Sequence, residues 1–147
     1  MTTPAYPLPA LHFKVSWGDG NNTMSFSEVS GLTIESEPIE YRSGDDITLT
    51  VQKIPGLRKF GNVTMKRGIV PQENGFWEWW NTIQSGTVER RNVTISLLNH
   101  EHRPVMSWEI RQAWPVKVEG PAMKATGNEV AVESCEFAHE GLTITAA

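Results

Sequence analysis

The stretch "NHEH", Asn99 to His102, places two histidines and a carboxylate at alternate positions, and Cys135 is the chain's only thiol. Imidazole and carboxylate together can bind a transition metal, but a catalytic zinc takes three protein ligands and keeps one position open. His12 or His139 would have to supply the third, and both lie far away in the chain. The stretch falls between two alternating apolar patterns, just ahead of Pro104, so it reads as a solvated hairpin turn, and no metal site is expected. Cys135 stands between Glu133 and Glu136, whose charge disfavours the thiolate that a nucleophile needs. A single cysteine also excludes an intramolecular disulfide. "PGLRKFG" reads as a hairpin tip, because it lacks the strand-to-helix order of a phosphate cradle. The chemistry-bearing residues therefore point away from an enzyme, with no catalytic residue and no cofactor.

Three of the six tryptophans fall within "FWEWW", Phe76 to Trp80. Rings grouped like this could form a sugar platform, a base-stacking surface or a core. A platform needs its rings exposed, usually with basic residues nearby. Here Asn74 can serve as an N-cap, Gly75–Ser85 as a helix and Gly86 as the residue past its end. Phe76, Trp79, Trp80 and Ile83 then share one face at i, i+3, i+4 and i+7, with Glu78, Asn81 and Gln84 opposite. Trp77 flanks that face. The spacing predicts a short helix, about 74–85, capping a β core.

Elsewhere period-two alternation dominates. Ile47, Leu49 and Val51 alternate with threonines, as do Val63 and Met65 around Thr64. Val93, Ile95 and Leu97 repeat the pattern, and so do Met106, Trp108 and Ile110. Each such run reads as a strand with one buried and one polar face, and glycines and prolines punctuate them at short intervals. Val130 and Val132 start an inward phase that Cys135 and Phe137 reverse, which suggests a bulge or a change of neighbours. Many short strands with turn signals indicate a barrel or two-sheet sandwich. At 147 residues the chain is expected to be one domain, 1–147, with residues 1–10 as a flexible or docking N-terminal arm. No basic n-region or apolar h-region opens it, so synthesis without a signal peptide is expected. No apolar run reaches the ~18 residues of a spanning helix, and no membrane binding is expected.

The net charge of −4 argues against a dedicated nucleic-acid binder. Its distribution is uneven: seven acids against one base from Asp19 to Asp46, then five bases and no acid from Lys53 to Arg67. Two separately solvated surfaces would explain this. So would complementary patches meeting on neighbouring copies, since opposite potentials fix register. Glu35, Glu37, Glu40, Asp45 and Asp46 are the candidate acidic partner surface. In the basic half, "KIPGLRKFG" joins two strand patterns and carries apolar residues at what reads as a loop tip. Ile54, Pro55, Leu57, Arg58, Lys59 and Phe60 are therefore candidates for an arm that packs on another copy.

The ordered set "FSEVSGLTIESEPIEYRSGDD" (Phe26 to Asp46), "KIPGL" (Lys53 to Leu57) and "NVTMKRGI" (Asn62 to Ile69) precedes the tryptophan-rich helix. "RRNVTISLLN" (Arg90 to Asn99), "WEIRQAWPVKVEGP" (Trp108 to Pro121) and "GNEVAVESCEFAHEGL" (Gly127 to Leu142) follow it. This order resembles the tail tube proteins of contractile phages, phage-tail-like particles and extracellular contractile injection systems, over residues 11 to 145. The resemblance implies a mainly β, tail-tube-type barrel that forms hexameric rings, stacked into a hollow inner tube within a contractile sheath. Implied partners are other copies, the sheath protein, baseplate hub or spike and tube-terminating proteins, and a lumenal cargo of effector, tape-measure protein or DNA. The implied location is an assembled phage tail or injection particle, released by lysis. In that setting Thr48, Thr50, Gln52, Thr64 and Lys66 are candidate lumen-facing residues. Two other readings are a monomeric ligand-binding β-barrel with a Trp-lined pocket and a secreted hexameric ring of the type VI secretion kind.

Overall fold

The computed structural model describes residues 6–17, 23–24, 26–71, 73–84 and 86–146. Residues 1–5 of the expected N-terminal arm, Asp19 of the acidic stretch and Ser85 of the expected helix lie outside these. In chain order the elements are β1 (Phe13–Trp17), β2 (Thr23–Met24), β3 (Glu28–Ser30), β4 (Ile34–Tyr41), β5 (Gln52–Phe60) and β6 (Val63–Gly68). Then come α1 (Gly75–Trp80), β7 (Arg91–Leu98), β8 (Pro104–Glu119), β9 (Val132–Ala138) and β10 (Gly141–Ala146). The fold is mainly β with one short helix, as the alternation predicts.

One long strand organises the barrel. The first half of β8, Met106 to Arg111, lies between β7 and β10, while its second half, Trp114 to Glu119, pairs with β9. At the junction Gln112 has a left-handed φ of 56°, and its amide donates to Asn92 Oδ1 at 3.3 Å. A residue at positive φ re-aims a strand as bulges do. The path β2-β1-β7-β8-β9-β6-β3 can therefore curl so that its two halves share a core. Val15, Trp17, Val93, Ile95 and Ile110 from one half meet Val63, Met65, Cys135 and Phe137 from the other in one buried cluster.

α1 plugs this cluster with Phe76 and Trp79, both fully buried. The Trp17 ring lies 5.7 Å from Phe76 and 5.4 Å from Trp79, edge to face, and Trp79 lies 5.8 Å from Phe137. These are distances at which aromatic pairs attract beyond their buried area. The Trp79 indole donates to the carbonyl of Glu89 at 2.9 Å. The helix is shorter than its spacing predicts. Thr82 Oγ1 donates to the Trp79 carbonyl at 2.7 Å and accepts the Glu89 amide at 3.1 Å, and the last amides tighten to i−3 bonds. Such side-chain competition ends a helix. Consequently Trp80 is only partly buried, and Ile83 leaves the helix for an exposed turn.

Three strand expectations need correction. Residues 47–51 are not a strand: Arg42 donates to the carbonyls of Asp46 and Thr48, and Asp46 Oδ1 accepts the Thr48 amide, so side chains hold loop 42–51. "KIPGLRKF" is not a loop tip but most of β5, paired with β4. Val130 is exposed ahead of β9, and Val132 opens that strand facing outward, so the apolar phase belongs to Cys135 and Phe137 alone. β9 keeps an unbroken register with β6, and the bulge is in β8, between Pro115 and Lys117.

Candidate assembly surface

β4 and β5 form a two-stranded ribbon outside the barrel sheet, each the other's strand partner. Its register sets Glu35 opposite Lys59, Glu40 opposite Lys53, Ser36 opposite Arg58 and Ile39 opposite Ile54. Lys59 Nζ lies 3.1 Å from Glu37 Oε2. Part of the charge asymmetry is thus matched within the chain, because the hairpin folds the basic run back along the acidic one. The ribbon bulges between Ser36 and Pro38, where a side chain at Gly56 would strike the Glu37 carbonyl. Glycine is what lets the two backbones approach there.

The ribbon is rich in uncovered apolar side chains. Leu57 is 82% exposed, and Ile34, Ile39, Tyr41 and Ile54 are about half exposed. In the loop joining its strands Ile47 is 97% and Leu49 89% exposed. Isolated two-stranded hairpins are marginal in water, and apolar patches of this kind mark interaction sites. Of the candidate arm residues, Leu57, Arg58, Lys59, Ile54 and Pro55 are exposed, whereas Phe60 is partly buried at the ribbon base against His139, rings 5.5 Å apart. Ile39, Tyr41, Ile47 and Leu49 belong to the same surface; the sequence does not single out Ile39 and Tyr41, and it places Ile47 and Leu49 on the buried face of a strand. The usable signal was the order of acids at 35, 37 and 40 against bases at 59, 58 and 53, which runs in reverse, as a hairpin requires.

Among the acidic candidates, Asp45 and Asp46 sit in loop 42–51. The Ser43 hydroxyl bonded to Asp45 holds that carboxyl below its usual range. The candidate lumen-facing residues fall in two places. Thr48 and Thr50 are on the loop and Gln52 opens β5, while Thr64 and Lys66 lie on the outer face of β6, Lys66 3.3 Å from Glu28.

Two cations that pack on the aromatic core, Arg67 buried and Arg91 partly buried, went unread in the sequence. Arg67, 1% exposed, lies 3.1 Å from Glu133 and 3.0 Å from Glu73, with Phe76 beneath its guanidinium at 5.9 Å. Arg91 covers the rings of Trp17 at 4.8 Å and Trp79 at 5.3 Å. Both close the ends of the aromatic core, and Arg67 leaves the basic surface accordingly. Cys135 is fully buried, and burial, with Glu133 and Glu136 nearby, pushes its thiol up to about 12. His139 bonds the Gly61 carbonyl through Nε2 at 3.0 Å, and burial holds its pKa below the usual histidine value.

Trp17, Phe76 and Trp79 are fully buried, and their rings fill the barrel end. Trp77 and Trp80 instead edge an open groove of about 390 Å³ with Val116 and Val118. Among the described residues no three histidine, cysteine or acidic side chains are grouped to hold a metal, and no helix is long and apolar enough to cross a membrane.

The family model of the T4-like virus tail tube protein gp19 matches residues 9–143. No curated protein matches the chain. Among solved structures, a chain of the anti-feeding prophage cap (AFP tube terminating cap) is 34% identical, covers 100% of this chain and 96% of its own, and superposes with a TM-score of 0.91. A chain of the PVC sheath-tube complex, from an extracellular contractile injection system in the extended state, is 34% identical over 97% of this chain and 93% of its own, with a TM-score of 0.88. Hcp1 from Flavobacterium johnsoniae shares the fold alone, at 10% identity over 92% of this chain and 95% of its own, with a TM-score of 0.59. The chain belongs to the T4 gp19 tail tube family and is homologous to tube proteins of extracellular contractile injection systems.

Proposed function

We propose that copies of this chain close into hexameric rings, and that the rings stack into the hollow inner tube of a contractile injection particle. Membership of the tail tube family over residues 9–143 carries this reading. The ribbon adds physical support: it exposes apolar side chains on two strands that are marginal alone. Head-to-tail contacts that close by rotation make rings, and those that repeat along an axis make filaments. In this proposal the β4–β5 ribbon and loop 42–51 pack on neighbouring copies, and 1–147 acts as one domain. Thr48, Thr50, Gln52, Thr64 and Lys66 face a wet channel. The partners are a contractile sheath, a terminator and a baseplate, with cargo in the lumen. The role is geometric, without catalysis, and the chain works in an assembled particle.

Electron microscopy and sedimentation of the purified chain test this. Rings or tubes about one tube wide support it, and a stable monomer at high concentration contradicts it and favours a ligand-binding barrel. Free hexamers that never stack would favour a secreted ring instead.

A further inference from the structure

His12 and His102 stand ring to ring, centroids 5.0 Å apart and planes tilted by 42°. Neither position is accidental. His12 precedes β1, and its carbonyl accepts the Leu98 amide at 2.8 Å, which fixes it beside the end of β7. His102 lies in the β7–β8 turn at a left-handed φ of 60°. Asn99 holds that turn: its Oδ1 accepts the amides of Glu101 at 2.9 Å and Arg103 at 3.0 Å, and its carbonyl accepts the His102 amide at 2.9 Å. Left-handed φ is a conformation that histidine, like asparagine and aspartate, adopts more often than most residues.

We infer that His12 and His102 form a two-histidine site for a borderline divalent cation such as Zn²⁺, Ni²⁺ or Cu²⁺. An ion held ~2.1 Å from one nitrogen of each ring, at a tetrahedral angle, places the two ring centroids about 5.2 Å apart. The observed centroid separation of 5.0 Å is close to that value. Backbone hydrogen bonds fix the main chain at both positions, which lowers the ordering cost of binding. Imidazole nitrogens select this cation class over Mg²⁺ and Ca²⁺, which take oxygen ligands. Both rings are exposed, so water completes the coordination. Occupancy clips the segment before β1 to the β7–β8 turn.

Calorimetric titration of the untagged full chain with ZnCl₂ and NiCl₂ at neutral pH tests the site. One ion per chain is expected, with affinity falling at least ~10-fold in both His12→Ala and His102→Asn, because each removes one of two ligands. Asparagine tolerates the left-handed turn, so loss in that variant does not come from strain. His100→Ala and His139→Gln serve as controls and should bind as wild type. Absence of saturable binding, binding retained in either ligand variant, or equal loss in the controls overturns the site. A stoichiometry of one ion per two chains, with zinc-dependent sedimentation, overturns the intrachain clip.

Discussion

Nζ of Lys59 lies 3.1 Å from Oε2 of Glu37, across the ribbon that joins the acidic and basic parts of the chain. Both side chains are well over half exposed, so the pair stabilises the ribbon by at most ~1 kcal/mol. It aligns two strands whose apolar side chains lie uncovered, and it leaves Arg58 opposite Ser36 rather than an acid.

Gly56 makes the ribbon separable from the barrel by mutation. In Gly56→Val the new side chain collides with the Glu37 backbone carbonyl. The bulge should rearrange while the barrel persists, with Tm shifted by less than ~4 °C because the main core is untouched. Ring or tube yield should fall sharply. Scanning fluorimetry paired with sedimentation checks both, and a large Tm loss would show that ribbon and barrel fold as one unit.

The aromatic plug should divide the tryptophans by role. Trp79→Ala removes a fully buried ring and its bond to the Glu89 carbonyl, and should destabilise by ~3–5 kcal/mol. Trp77→Ala, at a ring more than half exposed, should change stability by ~0.5 kcal/mol or less. Urea unfolding of both variants measures the difference, and equal losses would contradict the helix orientation.

Much of this division was legible in the sequence. The spacing of Phe76 and Trp79 identified the plug, and alternation identified β6, β7 and the first half of β8. Periodicity could not show where Thr82 would take the Trp79 carbonyl, so the helix ends before Ile83. Nor could it show that Arg67 turns inward, because an ion pair with Glu133 depends on the β6–β9 register, a long-range property. Ile47, Leu49 and Val51 alternate as a strand does, yet among the described residues no strand pairs with them. The arm residues were legible by type, as apolar side chains in a basic run, while their pairing with β4 was not.

His139 should give stability a pH dependence. Burial lowers its folded pKa below the unfolded value of about 6.5, so the folded state binds fewer protons. Its contribution is complete above that value and is lost as pH falls through the folded pKa. Tm measured downward from pH 7.5 should drop below about pH 6.5, and His139→Gln should flatten that part of the curve. Identical profiles would show that other groups set it.

Cys135 should be inert in the folded protein. With its pKa pushed up to about 12, only roughly one thiol in ten thousand is ionised at pH 8, and the side chain is fully buried. A disulfide reagent should label it only after denaturant is added. Rapid labelling in native buffer would mean that β9 opens readily.

The most direct test is whether the ribbon's basic edge joins one copy to the next. Arg58→Glu with Lys59→Glu removes the Glu37 pair and reverses two exposed charges, leaving the barrel core as it is. Sedimentation velocity with electron microscopy should find rings or tubes for the wild-type chain, and a folded monomer of near wild-type Tm for the double variant. Unchanged tube yield in the variant would contradict assembly through the ribbon.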